Sequence, residues 1–179
     1  MRSLFVLLCY AWVLPSIAQW TFTGDTTPTW EHVIGSYREL DRQHIGARLL
    51  QIGEDDNGAP IHLFVISDGG GFTPDSIRAS GRNILWVTNA IHPGEPDGVD
   101  ASLLLAQALL DSDQRMGLTV HSAICIVPIY NVSGAMERGS HSRANQLGPM
   151  EYGFRANALN LDLNRDFIKM DAQNTWTCG

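Results

Sequence analysis

The chain has 179 residues, of which 44% are hydrophobic and 17% charged, and its formal net charge is −7. That composition excludes a disordered tail and a coiled coil, and the negative balance argues against a nucleic-acid polyanion as partner. Setting aside the first 18 residues leaves 161, enough for one domain.

Those 18 residues read as a cleavable leader. Met1-Arg2-Ser3 is a short basic start, residues 4–14 are almost wholly apolar, and Ser16-Ile17-Ala18 places small residues at the −3 and −1 positions of a cleavage site. This is the three-part pattern of a secretory signal peptide, so a secreted or periplasmic location is expected. The apolar run is short for an anchor, and Pro15 breaks a helix there. No later stretch is long enough to span a bilayer, so no membrane partner is expected after cleavage. Two cysteines remain. Cys125 sits in an apolar run and reads as a buried strand residue, while Cys178 is next to the last residue. A bridge between a strand core and a tail rarely meets disulfide geometry, so none is expected.

Residues 19–29 read as an irregular lead-in. Thr29 is placed to cap a helix from about Trp30 to Gln43, with Val33, Ile34, Tyr37 and Leu40 on one face and Gly46 beyond its end. Residues 47–52 and 60–67 are β-rich runs joined through Asn57-Gly58, a strong hairpin signal because both positions tolerate positive φ. The stretch from Asp68 to Arg82 reads as a loop. Residues 83–91 form a near-continuous apolar strand, the pattern of a sheet covered on both faces. Residues 92–98 hold two prolines and two glycines, a rigid turn. A helix over 101–110, opened by Asp100, and a second buried strand over 120–129 complete a βαβ unit, hence a parallel pair. The fold class is α/β, with a mixed, mostly parallel sheet flanked by helices. Residues 130–159 show no strong periodicity, and a loop of that length tends to be functional. Residues 160–167 read as strand-like or irregular.

Two features carry chemistry. His92 and Glu95 lie three residues apart in the stiff turn at the C-terminal end of a buried strand, where open α/β sheets place ligand sites. Imidazole nitrogen and carboxylate oxygen are both good zinc donors, and a rigid turn fixes their relative positions. An isolated His-x-x-Glu is common and reads by default as a water-facing surface turn; its place at the end of a parallel strand is what favours a ligand site. The second feature is Asn160-Leu161-Asp162-Leu163-Asn164-Arg165-Asp166-Phe167, an alternating stretch that presents an Asn-Arg pair. A guanidinium fork grips a carboxylate through two hydrogen bonds. With Arg143 and Arg155 in the preceding loop, an anion-binding pocket is one reading and three solvated surface charges are the other.

The His92-Pro93-Gly94-Glu95 turn, Asn131 opening a loop, and the 160–167 segment, in this order, resemble the zinc carboxypeptidases of the carboxypeptidase A family. Arg143-Ala144-Asn145-Gln146-Leu147-Gly148-Pro149, Gly153-Phe154-Arg155 and the 160–166 stretch are similar to a group of secreted bacterial members. The resemblance runs from about residue 30 to residue 171 and covers the N-terminal portion of such a domain, with 172–179 a divergent tail. It implies zinc as cofactor, His92 and Glu95 as two of three ligands, and Arg143 as the arginine that polarises the scissile carbonyl. It also implies Asn164 and Arg165 as the pair that holds the free C-terminal carboxylate of a peptide substrate. The family's third ligand, a histidine, its glutamate base and its usual tyrosine have no counterpart among the 14 residues after Arg165, which contain no His, Glu or Tyr. The C-terminal part of the domain is therefore expected to be missing, and little or no peptidase activity is expected of the chain by itself. Two other functions remain open: a non-catalytic module that binds peptide or peptidoglycan terminal carboxylates, and a deacylase of small acyl-amino acids. Asn131-Val132-Ser133 also forms a glycosylation sequon, discounted because it lies near the substrate loop.

Overall fold

The computed structural model describes residues 25–69, 71–111, 118–141, 143 and 148–178. The expected leader, the first part of the lead-in and residues 144–147 of the long loop lie outside them. Among the described residues no helix is long and apolar enough to cross a membrane.

The first helix, α1 (Trp30–Gln43), is capped as expected: Thr29 Oγ1 accepts from the His32 amide, and Val33, Ile34, Tyr37 and Leu40 are buried. Strands β1 (Ala47–Glu54) and β2 (Pro60–Ile66) pair antiparallel in the expected hairpin. Its turn is held by Asp55, whose Oδ1 accepts from the Asn57 and Ala59 amides, with Gly58 at φ +76°. Asp55 Oδ2 accepts from the amide and hydroxyl of Ser133, which pins the hairpin to a helix far along the chain.

The stretch expected as a loop contains a short helix, α2 (Pro74–Ala79). Thr73 and Ser76 form a reciprocal capping box and Pro74 starts the first turn. Six residues are too few to show a helical period, so its caps were its only sequence signal. Strand β3 (Asn83–Thr88) ends before residue 91, since Ala90 turns to φ +52°. Helix α3 (Asp97–Asp111) begins nearer the turn than residue 101, because the Val99 and Asp100 amides both reach back to the Pro96 carbonyl. Strand β4 (Ser122–Val127) pairs parallel with β3, as the βαβ reading required. The long segment expected as a loop holds a helix, α4 (Val132–Met136), and a two-residue ribbon, β5 (Arg138–Gly139) with β6 (Tyr152–Gly153). The 160–167 stretch is not a strand but contains a 3-10 turn, Leu163–Arg165. The last described residues form α5 (Gln173–Cys178).

The four-stranded sheet has the order β1-β2-β4-β3. It is mixed, as expected, but among the described strands the parallel part is the single pairing of β3 with β4; β1–β2 and β2–β4 are antiparallel. One face packs on α1 and α3 through Tyr37, Phe64, Leu103, Ile124 and Ile126; Val65, Ile77, Ala123 and Cys125 cluster separately, with Ile77 brought by α2. Cys125 and Cys178 are free thiols, and burial pushes the Cys125 thiol up.

Strand β3 departs from the expectation of a covered strand. It lies at the sheet edge, and Ile84, Leu85 and Trp86 are 43%, 45% and 43% exposed. Successive side chains point to opposite faces, so both faces are open. Apolar composition reports what a strand is suited to contact, and among the described residues neither face of β3 is fully covered. An uncharged apolar edge is a template for pairing with another chain. Self-association that grows with concentration is therefore expected in sedimentation velocity, and Leu85→Lys is expected to suppress it while leaving the far-UV circular dichroism unchanged. Undiminished association of that variant would place the contact elsewhere.

Candidate active site

The parallel register aligns Thr88 with Val127, so β3 and β4 release their chains side by side. The Tyr130 amide bonds the Asn89 carbonyl and the Asn131 amide bonds the Ala90 carbonyl, carrying the pairing past the strands. Asn131 then caps α4 through Oδ1, which accepts from the Gly134 amide, while its Nδ2 donates to the carbonyls of Ile91 and Arg155. One fully buried amide side chain thus ties the turn before His92 to the loop that carries Arg155. The sequon at Asn131 is closed to modification in this fold.

The His92–Glu95 turn is closed by the Glu95 amide donating to the His92 carbonyl at 2.8 Å. It is stacked against β6 with no room for side chains at two positions: a Cβ at Gly153 would lie 2.4 Å from Pro93, and one at Gly94 would lie 2.8 Å from the Arg143 Cδ and 3.1 Å from the Gly153 carbonyl. His92 is buried and Glu95 half exposed. His92 Nε2 lies 2.8 Å from Asp162 Oδ1, and His92 Nδ1 lies 3.5 Å from Glu95 Oε1. His92 thus lies between two carboxylates, with Nε2 held by Asp162 and Nδ1 turned toward Glu95.

Asp162 is the residue that sequence reading missed. It appeared as one polar position in an alternating stretch, yet it holds His92 across 70 residues of sequence, takes Arg155 Nη2 at 2.9 Å on its other oxygen, and caps the 3-10 turn through the Asn164 amide. The hydrogen bond with His92, with help from Arg155 and the Asn164 amide, brings its carboxyl down to about 2. A histidine followed by its carboxylate orienter has no fixed sequence spacing, so the only signal available was an Asp beside the Asn-Arg pair.

Both loop arginines converge on Glu95. Arg143 Nη1 lies 2.5 Å from Glu95 Oε1 and Arg155 Nη1 lies 3.7 Å from the same atom. The hydrogen bond from Arg143 holds the Glu95 carboxyl below its ordinary range. The structure therefore brings His92, Glu95 and Arg143 together. Asn164 and Arg165 follow on the adjoining turn, both exposed, with Arg165 Nη1 folded back onto the Asn164 carbonyl at 2.9 Å. The backbone beyond them is locked: Asp166 accepts from the amides of Asp171 and Ala172 and from the Thr175 hydroxyl, and Asn174 Nδ2 donates to the Tyr130 carbonyl.

The donor set fits two positions of a zinc site and does not complete one. His92 Nδ1 and Glu95 Oε1, both atom types that zinc accepts as ligands, lie 3.5 Å apart. Asp162 behind the imidazole is the orienting carboxylate such ligands use. Among the described residues, however, no group of three or more His, Cys, Asp and Glu side chains is arranged to hold a metal.

Two outcomes follow from this geometry. Asn131→Asp keeps the acceptor for Gly134 and loses both donors, leaving the Ile91 and Arg155 carbonyls unpaired; a loss of about 1–3 kcal/mol in chemical denaturation is expected. The Asp162 carboxyl is depressed in the fold from 3.8 to about 2, so its stabilising contribution is complete above the unfolded value and is lost as pH falls through that interval. Asp162→Asn should flatten the acid limb of the stability curve between these values, and an unchanged limb would deny the contribution.

The zinc carboxypeptidase family matches residues 37–177. Among curated proteins none matches the chain. Of the solved structures, a metallo-carboxypeptidase from Burkholderia cenocepacia aligns with a TM-score of 0.63 at 16% identity, over 85% of this chain and 37% of that one. A metallo-carboxypeptidase from Pseudomonas aeruginosa, in complex with (2-guanidinoethylmercapto)succinic acid, aligns with a TM-score of 0.61 at 22% identity, over 84% and 35%. A carboxypeptidase A from Helicoverpa armigera aligns with a TM-score of 0.52 at 18% identity, over 62% and 26%. At these identities the structures show a shared fold, and the chain spans about a third of the length of the two bacterial proteins. The family match, over most of the chain, settles its membership: this is a chain of the zinc carboxypeptidase family.

Proposed function

We propose that the chain carries the metal-turn side and the carboxylate-binding side of a zinc-dependent metallocarboxypeptidase, an enzyme that releases C-terminal residues from peptides. The observation that supports this most strongly is the group formed by His92, Glu95 and Asp162, with two guanidiniums beside it. His92 Nδ1 and Glu95 are two of the zinc ligands in this reading, and Asp162 orients the imidazole. What zinc supplies when bound is Lewis acidity toward a peptide carbonyl. Arg143 and Arg155 present guanidinium donors where a carbonyl oxygen gains negative charge. Asn164 and Arg165 receive the terminal carboxylate once Arg165 leaves its own backbone acceptor. Export through the 1–18 leader belongs to the same proposal, and N-terminal sequencing of exported protein should begin at Gln19.

Two ligands hold zinc weakly, and the chain alone is expected to show little or no peptidase activity. Its zinc affinity by calorimetry is expected to vanish in His92→Ala and to fall about 10–100-fold in Asp162→Ala, the usual cost of removing such an orienting carboxylate. Zinc binding that survives His92→Ala would remove the ligand assignment. The incomplete donor set beside three arginines also favours a second reading, a module that binds terminal carboxylates without hydrolysis. In that case short peptides should bind without metal, and C-terminal amidation or Arg165→Ala should abolish the heat of binding.

A further inference from the structure

His62 is a buried imidazole that stands outside the group around His92 and Glu95. It lies on β2, two residues before Phe64, and both side chains meet α1. The His62 ring is 5.9 Å from the Trp30 ring, and the Phe64 ring is 4.8 Å from the Tyr37 ring. Trp30 and Tyr37 are about two turns apart on the helix, so two aromatic pairs seat α1 on the strand. No side-chain hydrogen bond backs these pairs. Among the described residues His62 Nδ1, Trp30 Nε1 and the Tyr37 hydroxyl are all buried without a partner.

No negative charge faces the ring. From α1 it meets Arg38, a like charge once the ring is protonated, and the Tyr37 hydroxyl, which burial keeps neutral. Its register partner on β1 is Gln51; the charged ends of that strand, Arg48 and Glu54, pair with Val65 and Pro60 instead. Strand β4 offers only Cys125, which belongs to the separate apolar cluster, and α4 has no titratable side chain. Protonation makes both ring nitrogens donors. Nδ1 then buries a donor without an acceptor and a charge without a counter-charge, and both are costly. We propose that His62 is an acid latch: a neutral ring lets α1 sit on β2, and protonation unseats the helix. Burial and Arg38 accordingly hold the imidazole below its ordinary value of 6.5, against the pull of the Pro60 carbonyl. An unfolded chain takes up this proton near 6.5, the folded chain only at lower pH. The latch is closed above 6.5 and weakens below it, by up to about tenfold in the folding equilibrium per pH unit, until the folded ring itself titrates.

The test is urea unfolding and imidazole NMR titration of the full chain between about pH 8 and 5. The wild-type folding constant is expected to fall below 6.5, and the fall to disappear in His62→Gln and His62→Phe, neither of which takes up a proton. Arg38→Gln changes an exposed position and leaves the core alone; it should bring the His62 titration up toward 6.5 and shrink the acid loss. Amide protection in α1, corrected for intrinsic exchange, should be lost before protection in α3. A folded-state His62 that titrates at or above 6.5, or an acid loss that persists in both His62 variants, would overturn the latch. Simultaneous loss of protection in α1 and α3 would overturn it too, since the whole fold and not one helix would be opening. Where the His62 variants fail to fold, an Arg38→Gln chain with unmoved titration and unmoved acid loss would overturn it alone.

Discussion

The parallel pairing of β3 with β4 is the constraint from which the site follows. Six aligned residue pairs bring Thr88 beside Val127, and the two chains leave the sheet together. The backbone bonds from Tyr130 to Asn89 and from Asn131 to Ala90 extend that alignment into the loops. Only then does the Asn131 side chain reach Ile91 on one strand's exit and Arg155 on a distant loop. A slip of one residue would turn every side chain of β3 to the other face, and the turn that holds His92 and Glu95 would no longer meet Asp162.

The same constraint explains which parts were readable in the sequence. The turn at 92–98 was legible because proline and glycine act locally, and its place after an apolar run marked it as a strand end. The caps at Thr29 and the Asn57-Gly58 hairpin were legible for the same reason. Asp162 was not, because its role is set by a partner 70 residues away rather than by its neighbours. Arg143 was assigned to the site through resemblance, but its contact with Glu95 depends on the stacking of β6 on the turn, which two glycines permit and no period announces. Strand β3 was misread in its length and in its burial. Its composition suits burial on both faces, while its position at the sheet edge leaves those faces open.

Charge balance accounts for why so compact a group holds together. Glu95 and Asp162 supply two negative charges; Arg143 and Arg155 supply two positive ones, and His92 lies buried between the carboxylates. Each carboxylate takes one close guanidinium, at 2.5 Å and 2.9 Å. Both pairs are partly exposed, so screening keeps each contribution modest; what they fix is orientation.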